Sequence, residues 1–157
     1  MAVRRLRLAL VLITGLWASS AMALDQGLVT VRSTHSVRAT LDRFEAAVRA
    51  AGWVVFTEID HAAAARAVGM DLLPRMVVIF GNPQAGTPAM RAHPTLALDL
   101  PMRALVWQDD AGAVFITRSS GAALGTRVYA RHGIDMPDAA LRTNEAFFAD
   151  LAKQAAE

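Results

Sequence analysis

Cysteine is absent from the 157 residues of the sequence. Without a thiol, the chain cannot form a disulfide, a thiolate metal site or a covalent c-type haem attachment, and it cannot use a cysteine nucleophile. The folded state must therefore be held by a hydrophobic core or by self-association.

The N-terminal apolar run is too short to span a membrane. It extends from Leu8 to Ala18, whereas a transmembrane helix needs about 20 residues. Three arginines precede the run and Ala21-Met22-Ala23 follows it, which is the pattern of a cleavable signal peptide. We therefore expect residues 1–23 to be a signal peptide and residues 24–157 to form a single domain without a stable membrane span after processing. The expected location is periplasmic or secreted.

The processed chain lacks the excess of basic residues that nucleic-acid binding requires. The full sequence has 16 Lys and Arg residues and 14 Asp and Glu residues. Three arginines lie within residues 1–23, which leaves 13 basic and 14 acidic residues and a formal net charge of −1. We therefore expect no nucleic-acid partner.

Short motifs for metal binding and catalysis are also missing. The histidines are too widely spaced to form a local metal site, so no metal is expected, and there is no Gly-x-Ser-x-Gly nucleophile elbow. Gly81 and Gly86 have the spacing of a phosphate-binding loop, but Thr87 and Pro88 stand where its Lys and Ser/Thr belong. This segment is then either a rigid strand-to-helix connection or a nest of backbone N–H groups for a small anionic ligand.

Short apolar runs separated by turn residues predict five strands. They cover residues 28–32, 53–59, 75–80, 102–108 and 113–117, and Asp109-Asp110-Ala111-Gly112 joins the last two as a hairpin turn. Strands dominate the middle of the chain and do not alternate regularly with helices. The order favours an α+β fold with a mostly antiparallel sheet of about five strands and helices packed on one face.

Helical patterns occur before, between and after these strands. The clearest has an apolar stripe that includes Phe44 and an N-cap at Ser36. Asp60 can cap a short second helix. Thr87-Pro88 predicts a further helical turn with Thr87 as its N-cap, and Asp135 is expected to cap the last helix.

Five polar residues near the ends of predicted strands are candidates for a ligand site: Asp60, His61, Asn82, Thr87 and Asp99. We expect them to gather around the loops at one end of the sheet, because loops held by a scaffold often carry sites. Structural roles remain open for several of them. Asp60 can be only a helix cap with His61 an ordinary first-turn residue, Asn82 can bond nearby backbone, and Asp99 can accept backbone N–H groups.

Five short blocks carry a resemblance to a known family: Ile59-Asp60-His61, Ile79-Phe80-Gly81-Asn82-Pro83, Gly86-Thr87-Pro88, Leu98-Asp99-Leu100-Pro101 and Val106-Trp107. Together they resemble the domain-of-unknown-function family 302, over residues 29 to 133. The resemblance implies a compact β-α-β(4)-α domain of TATA-binding-protein-like topology, and it also implies a homodimer. It implies no reaction.

Three functions remain open at this point. The first is an exported protein that binds a small ligand or acts as an accessory protein. The second is a small hydrolase or isomerase in which His61 acts as base with Asp99 or Asp60 as its partner. The third is a structural homodimer without a ligand, in which the motif residues only hold loops. The sequence names no cofactor.

The signal-peptide assignment predicts where the mature protein begins. Because signal peptidase reads the small residues of Ala21-Met22-Ala23, exported protein should start at Leu24. N-terminal sequencing of material from the cell envelope measures this directly. Exported protein that still begins at Met1 would contradict the assignment.

Overall fold

The computed structural model describes residues 27–157, and the signal-peptide assignment lies outside these residues. Within this described range, five strands and five helices follow one another: β1 (Leu28–Ser33), α1 (Val37–Ala50), β2 (Val54–Asp60), α2 (His61–Ala67), β3 (Arg75–Gly81), α3 (Pro83–Ala92), β4 (Met102–Gln108), β5 (Val114–Ser119), α4 (Gly121–Ala123) and α5 (Asp138–Ala156). A 3-10 turn at Pro94–Leu98 links α3 to β4, and irregular helical turns continue α4 as far as His132.

The five strands form one sheet in the order β1-β5-β4-β3-β2, and every neighbouring pair is antiparallel. The predicted α+β class and antiparallel sheet are therefore confirmed. The register also fixes which strand ends share an edge. Val54 pairs with Gly81 and Met102 pairs with Phe80, so the start of β2, the end of β3 and the start of β4 lie together.

One face of this sheet packs against α1 and α5 and forms the core. In α1, the apolar stripe is buried as its spacing predicts, and the Ser36 hydroxyl accepts the backbone N–H of Ala39 as an N-cap. Phe44 is 1% exposed, and its ring meets the ring of Phe80 from β3 edge-on at 5.1 Å between centroids. Alternate residues of the central strands supply the sheet side of this core, as period-2 geometry requires.

Two helix starts differ from their predictions. Helix α3 begins at Pro83 with Asn82 as its N-cap, so Thr87 and Pro88 lie inside the helix and not at its start. The pattern misled because Asn-Pro and Thr-Pro are both good helix starts, and the first one in the chain is used. In α5, Asp135 does not cap: the helix begins at Asp138, Pro137 holds the N-cap position, and no side chain caps it.

Close contacts hold helix α5 against the end of the sheet and the turns that follow β5. A Cβ on Gly121 would lie 2.5 Å from the carbonyl oxygen of Leu141, and one on Gly125 would lie 2.7 Å from the Leu141 Cδ2 atom. Arg118 of β5, 5% exposed, forms a two-pronged ion pair with Glu145 of α5, at 2.6 and 3.1 Å. Glu145 also accepts the Gly121 N–H, so the position of α5 along the sheet is set by polar and steric contacts together.

The opposite face of the sheet points away from α1 and α5. It carries a row of half-buried apolar residues, which are Val77 and Ile79 of β3, Leu105 and Trp107 of β4, and Phe115 of β5. The Trp107 and Phe115 rings stack at 4.8 Å between centroids, and the guanidinium of Arg75 lies 5.4 Å from the Trp107 ring. We call this surface the open sheet face.

Across residues 27–157, no helix combines the length and the apolar character that crossing a bilayer would need.

The packing of Phe44 predicts a large stability effect. Phe44→Ala should lower the free energy of unfolding by about 3–5 kcal/mol, because it removes a fully buried ring and leaves a cavity. Chemical denaturation measures the change. Val68→Ala is the control, since Val68 is 72% exposed and should change stability by under about 0.5 kcal/mol. Equal, small effects of both substitutions would contradict the packing of α1 against the sheet.

Candidate functional site

A cavity of about 470 Å³ lies at the end of the sheet where α3 follows β3. Its lining comes from four parts of the chain: Trp53 and Phe56 from β2 and its approach, residues of α3 including Gly86, Thr87 and Met90, the loop Leu100-Pro101 with Met102, and Tyr129, Met136 and Asn144 from the C-terminal third. We call it the α3 cavity. Ligand sites in proteins commonly enclose about 300–1,000 Å³, so its size suits a small molecule.

An irregularity in β2 brings an aromatic ring to the cavity. The register shifts between Val55 and Thr57, so Phe56 is the extra residue of a β-bulge. Its ring approaches Gly81, where a Cβ would lie 3.5 Å from Phe56 and 3.3 Å from Pro101. Glycine at position 81 therefore lets two apolar groups meet across the end of β3. Phe56 stays 51% exposed, which places a large apolar surface at the cavity.

The start of α3 is occupied by its own cap. The Asn82 side-chain oxygen accepts the backbone N–H groups of Gln84 at 3.0 Å and Ala85 at 3.3 Å. These are donors that an anion nest would need, so the structure favours the interpretation of this segment as a rigid strand-to-helix connection. Asn82 lines the cavity as well, but its amide oxygen holds α3 in place.

Three polar side chains of the cavity have no hydrogen-bond partner among residues 27–157: the Thr87 hydroxyl, the Tyr129 phenol and the Asn144 amide. Burial raises the pKa of the Tyr129 phenol above its ordinary value, so the group stays protonated and able to donate. None of the lining residues is Asp, Glu, Lys, Arg or His. The cavity is thus apolar, with a few polar groups that form no hydrogen bond within the described residues.

Asp60 and His61 lie at the other end of the sheet. Asp60 pairs with Met76, whereas Val54 pairs with Gly81, so six residues of β2, about 20 Å, separate Asp60 from the cavity end. The Asp60 carboxylate accepts the Ala63 N–H at 2.9 Å and caps α2. His61 is an exposed residue in the first turn of that helix. Asp60 is therefore a helix cap, and His61 is an ordinary first-turn residue.

Asp99 contacts a histidine, but it is not His61. His132 Nε2 lies 2.6 Å from Asp99 Oδ2, and His132 Nδ1 lies 2.9 Å from the Thr95 hydroxyl. Arg131 approaches the same carboxylate at 3.3 Å. The hydrogen bond from His132, and then the charge of Arg131, hold the pKa of Asp99 below its ordinary value. The His132 side chain is only 4% exposed, so the imidazole is enclosed by its partners.

This group of residues fastens two segments together. The His132 carbonyl lies 3.1 Å from His93 Nδ1, so His132 contacts the segment 93–99 at three points through its ring and its backbone. The segment carries the 3-10 turn that leads into the Leu100-Pro101 loop, which lines the α3 cavity. We call the group formed by His93, Thr95, Asp99, Arg131 and His132 the histidine clasp. It supports one wall of the cavity.

The structure thus divides the five sequence candidates into three places. Asn82 and Thr87 line the α3 cavity, Asp99 belongs to the histidine clasp beside it, and Asp60 and His61 lie at the far end of the sheet. Sequence reasoning missed the C-terminal contributors Tyr129, Met136 and Asn144. They come from irregular helical turns, a loop and a helix that are distant in sequence, so no local pattern reveals them.

Among the described residues, no three His, Asp or Glu side chains are grouped closely enough to hold a metal ion.

The fold is similar to that of a solved protein. A crystal structure titled "uncharacterized conserved protein DUF302 from Bacillus stearothermophilus" superposes with a TM-score of 0.68 and 17% sequence identity, covering 83% of this chain and 98% of that one. At this identity the likeness establishes the fold and nothing finer. It agrees with the α+β fold and the antiparallel sheet described above.

Curated relatives share sequence over part of their length. A protein of Brucella suis named fluoride-specific ion channel FluC 1 is 47% identical over 107 residues, which is 68% of this chain and 42% of that protein. A Brucella abortus protein of the same name is 47% identical over 107 residues and 40% of its length. The chain therefore spans about two-fifths of the length of these relatives.

The family itself is identified by a match that covers most of the described chain. The model of the family described as "Domain of unknown function DUF302" matches residues 29–150. This range includes all of the sheet except Leu28, every residue that lines the α3 cavity, and the histidine clasp. The chain belongs to the DUF302 family.

Proposed function

We propose that the protein binds a small ligand in the α3 cavity and acts as an exported binding or accessory protein. The observation that carries the proposal is the cavity itself: about 470 Å³, lined by aromatic and methionine side chains, with polar groups that have no partner within the described chain. A cavity of this kind is where a ligand gains both apolar burial and orientation. The rim residue Phe56 adds exposed apolar area that binding would cover.

The proposed location rests on the N-terminal sequence. A basic start, a short apolar run and Ala21-Met22-Ala23 support a signal peptide over residues 1–23 and a periplasmic or secreted protein. The accessory part of the proposal has support from the Brucella relatives, in which a region similar to this chain is part of proteins named as fluoride channels. The α3 cavity has no charged side chain that would hold a halide ion, so fluoride is not the ligand that we propose for it.

We also propose a homodimer in which two copies meet through the open sheet face. The row of apolar residues across β3, β4 and β5 supports this proposal. Helices α1 and α5 bury the alternate residues of the same strands on the other face, so they do not cover this row. Ile59, 39% exposed, extends the row onto the edge strand β2. A second copy would bury this surface in a symmetric contact.

The enzyme alternative now depends on a different histidine. The Thr95 hydroxyl, the His132 imidazole and the Asp99 carboxylate lie in a chain of hydrogen bonds of 2.9 and 2.6 Å. With Nε2 donating to Asp99, Nδ1 accepts from the threonine hydroxyl, which is the order of a nucleophile, a base and an orienting acid. The same contacts also explain the clasp as a purely structural device. His61 is too far from Asp99 to serve as its partner.

Filling the α3 cavity should remove the ligand without unfolding the protein. A Cβ at Gly86 would have Met90 at 3.7 Å and Leu100 at 3.8 Å, both residues of the cavity lining, so Gly86→Phe directs a ring toward that space. We expect wild-type protein purified from its own cell envelope to carry a small molecule that this variant lacks. Native mass spectrometry measures the retained mass and, in the same spectra, the number of subunits.

Two controls separate occupation of the cavity from damage to α3. Gln84→Phe adds the same ring at an exposed position of the same helix and should keep the ligand. Gly86→Ala adds only a methyl group. It stabilises the helix by about 1 kcal/mol, because alanine has the highest helix propensity. Retention of equal mass in Gly86→Phe and Gln84→Phe would place the ligand elsewhere. A wild-type spectrum with monomer alone would overturn the homodimer.

The clasp predicts a large loss of stability at one histidine and a small change at another. His132→Ala should lower the free energy of unfolding by about 1–3 kcal/mol, because it removes the hydrogen bonds that Asp99 and Thr95 make with the imidazole and leaves Asp99 only the longer contact with Arg131. His61→Ala should change it by under about 0.5 kcal/mol. Thermal and denaturant unfolding measure both. Turnover of a simple neutral ester by the wild type that is lost in a stably folded Thr95→Val variant would instead favour the enzyme alternative.

A further inference from the structure

The lining of the α3 cavity also specifies a class of ligand. Resting on the function proposed above, we propose that the cavity selects an uncharged, mostly apolar small molecule that carries one or two hydrogen-bonding groups. The lining is uncharged, has apolar walls and carries a few polar groups that form no hydrogen bond within the described residues.

The lining of the α3 cavity is uncharged. No side chain with a formal charge lines the α3 cavity, so a charged ligand would lose its hydration without gaining a partner of opposite sign. Backbone donors do not compensate for this. The N–H groups of Gln84 and Ala85, at the start of α3, already donate to the Asn82 side chain. A neutral molecule avoids this desolvation cost.

The walls of the cavity are aromatic and thioether-rich. Trp53, Phe56 and Tyr129 provide flat faces, and three methionines provide flexible, polarisable side chains. Aromatic faces favour flat apolar partners, and thioether chains adapt to irregular ones. The apolar wall therefore suits a ring-containing or chain-like hydrophobic ligand more than a sugar or a peptide, whose many polar groups would be left unsatisfied.

Three polar side chains of the lining can orient a ligand. Thr87, Tyr129 and Asn144 come from α3, the irregular turns after α4, and α5, so their polar groups approach the cavity from different elements. None of these three side chains forms a hydrogen bond with another described residue. The hydroxyl groups and the amide can each donate and accept, so they can pair with a carbonyl, a hydroxyl or an amine of the ligand. One such group on the ligand would fix its direction in the cavity.

Two dyes with the same skeleton test the preference for a neutral ligand. N-phenyl-1-naphthylamine is uncharged, whereas 8-anilino-1-naphthalenesulfonate has the same anilinonaphthalene rings and a sulfonate. Both fluoresce in apolar surroundings, so titration of the ligand-stripped full-length mature protein gives both affinities. We expect the neutral dye to bind at least tenfold more tightly, and its binding to be lost in Gly86→Phe and kept in Gln84→Phe.

A change of charge in the cavity provides a second test. Asn144→Lys adds a cation among the lining residues and should move the preference toward the sulfonate dye by tenfold or more, while Asn144→Leu should leave the neutral dye preferred. Equal binding of both dyes to the wild type, with both lost in Gly86→Phe, would overturn the ligand class and leave the proposed function standing. Binding of neither dye to the wild type would overturn the proposed function itself.

Discussion

Burial of one sheet face by two helices is the constraint on which the rest of the structure depends. A chain of this length without cysteine must gain its stability from one core, and α1 and α5 supply it by covering the same side of five antiparallel strands. Phe44 and Phe80 lie at the centre of that layer, and Phe148 of α5 meets Phe80 at 6.2 Å. Everything else is arranged around the edges and the opposite face of this two-layer core.

The α3 cavity is a product of that arrangement. Helix α5 is positioned by Arg118, Glu145 and the two glycines that contact Leu141, and it thereby brings Asn144 to the end of the sheet. The bulge in β2 delivers Phe56 to the same end. Between them, the histidine clasp holds the loop before β4. Rigid elements therefore surround the space on most sides, which is the condition for a site with defined selectivity.

The elements that depend on local pattern were predictable from the sequence. The stripe of α1 and its Ser36 cap, the five strands and the antiparallel class follow from periodicity and turn chemistry, and the structure confirms them. The predicted start of α3 is wrong. Asn82-Pro83 and Thr87-Pro88 lie five residues apart, both are typical helix starts, and the sequence pattern does not show which one is used. The sequence pattern did not predict the π-helical turn at Leu124–Tyr129.

The site was predictable only in part, for a geometric reason. Asn82 and Thr87 could be found because they lie in a segment of unusual composition, and this segment does border the cavity. Asp60 and His61 also follow a predicted strand, but in an antiparallel pair the end of β2 lies opposite the start of β3 and therefore far from the cavity. The partnership of Asp99 with His132 joins residues 33 apart in the chain, and contacts at that separation are set by tertiary packing.

Helix α3 differs from the other walls of the cavity, and this difference bears on the rate at which a ligand could exchange. It buries none of its own residues completely, Gly86 weakens it, and Pro88 removes one of its internal hydrogen bonds. An element with so few buried contacts opens at a lower free energy than the core that it borders. Entry and departure would then be controlled by the opening of this one short helix, while α5 and the sheet keep their places.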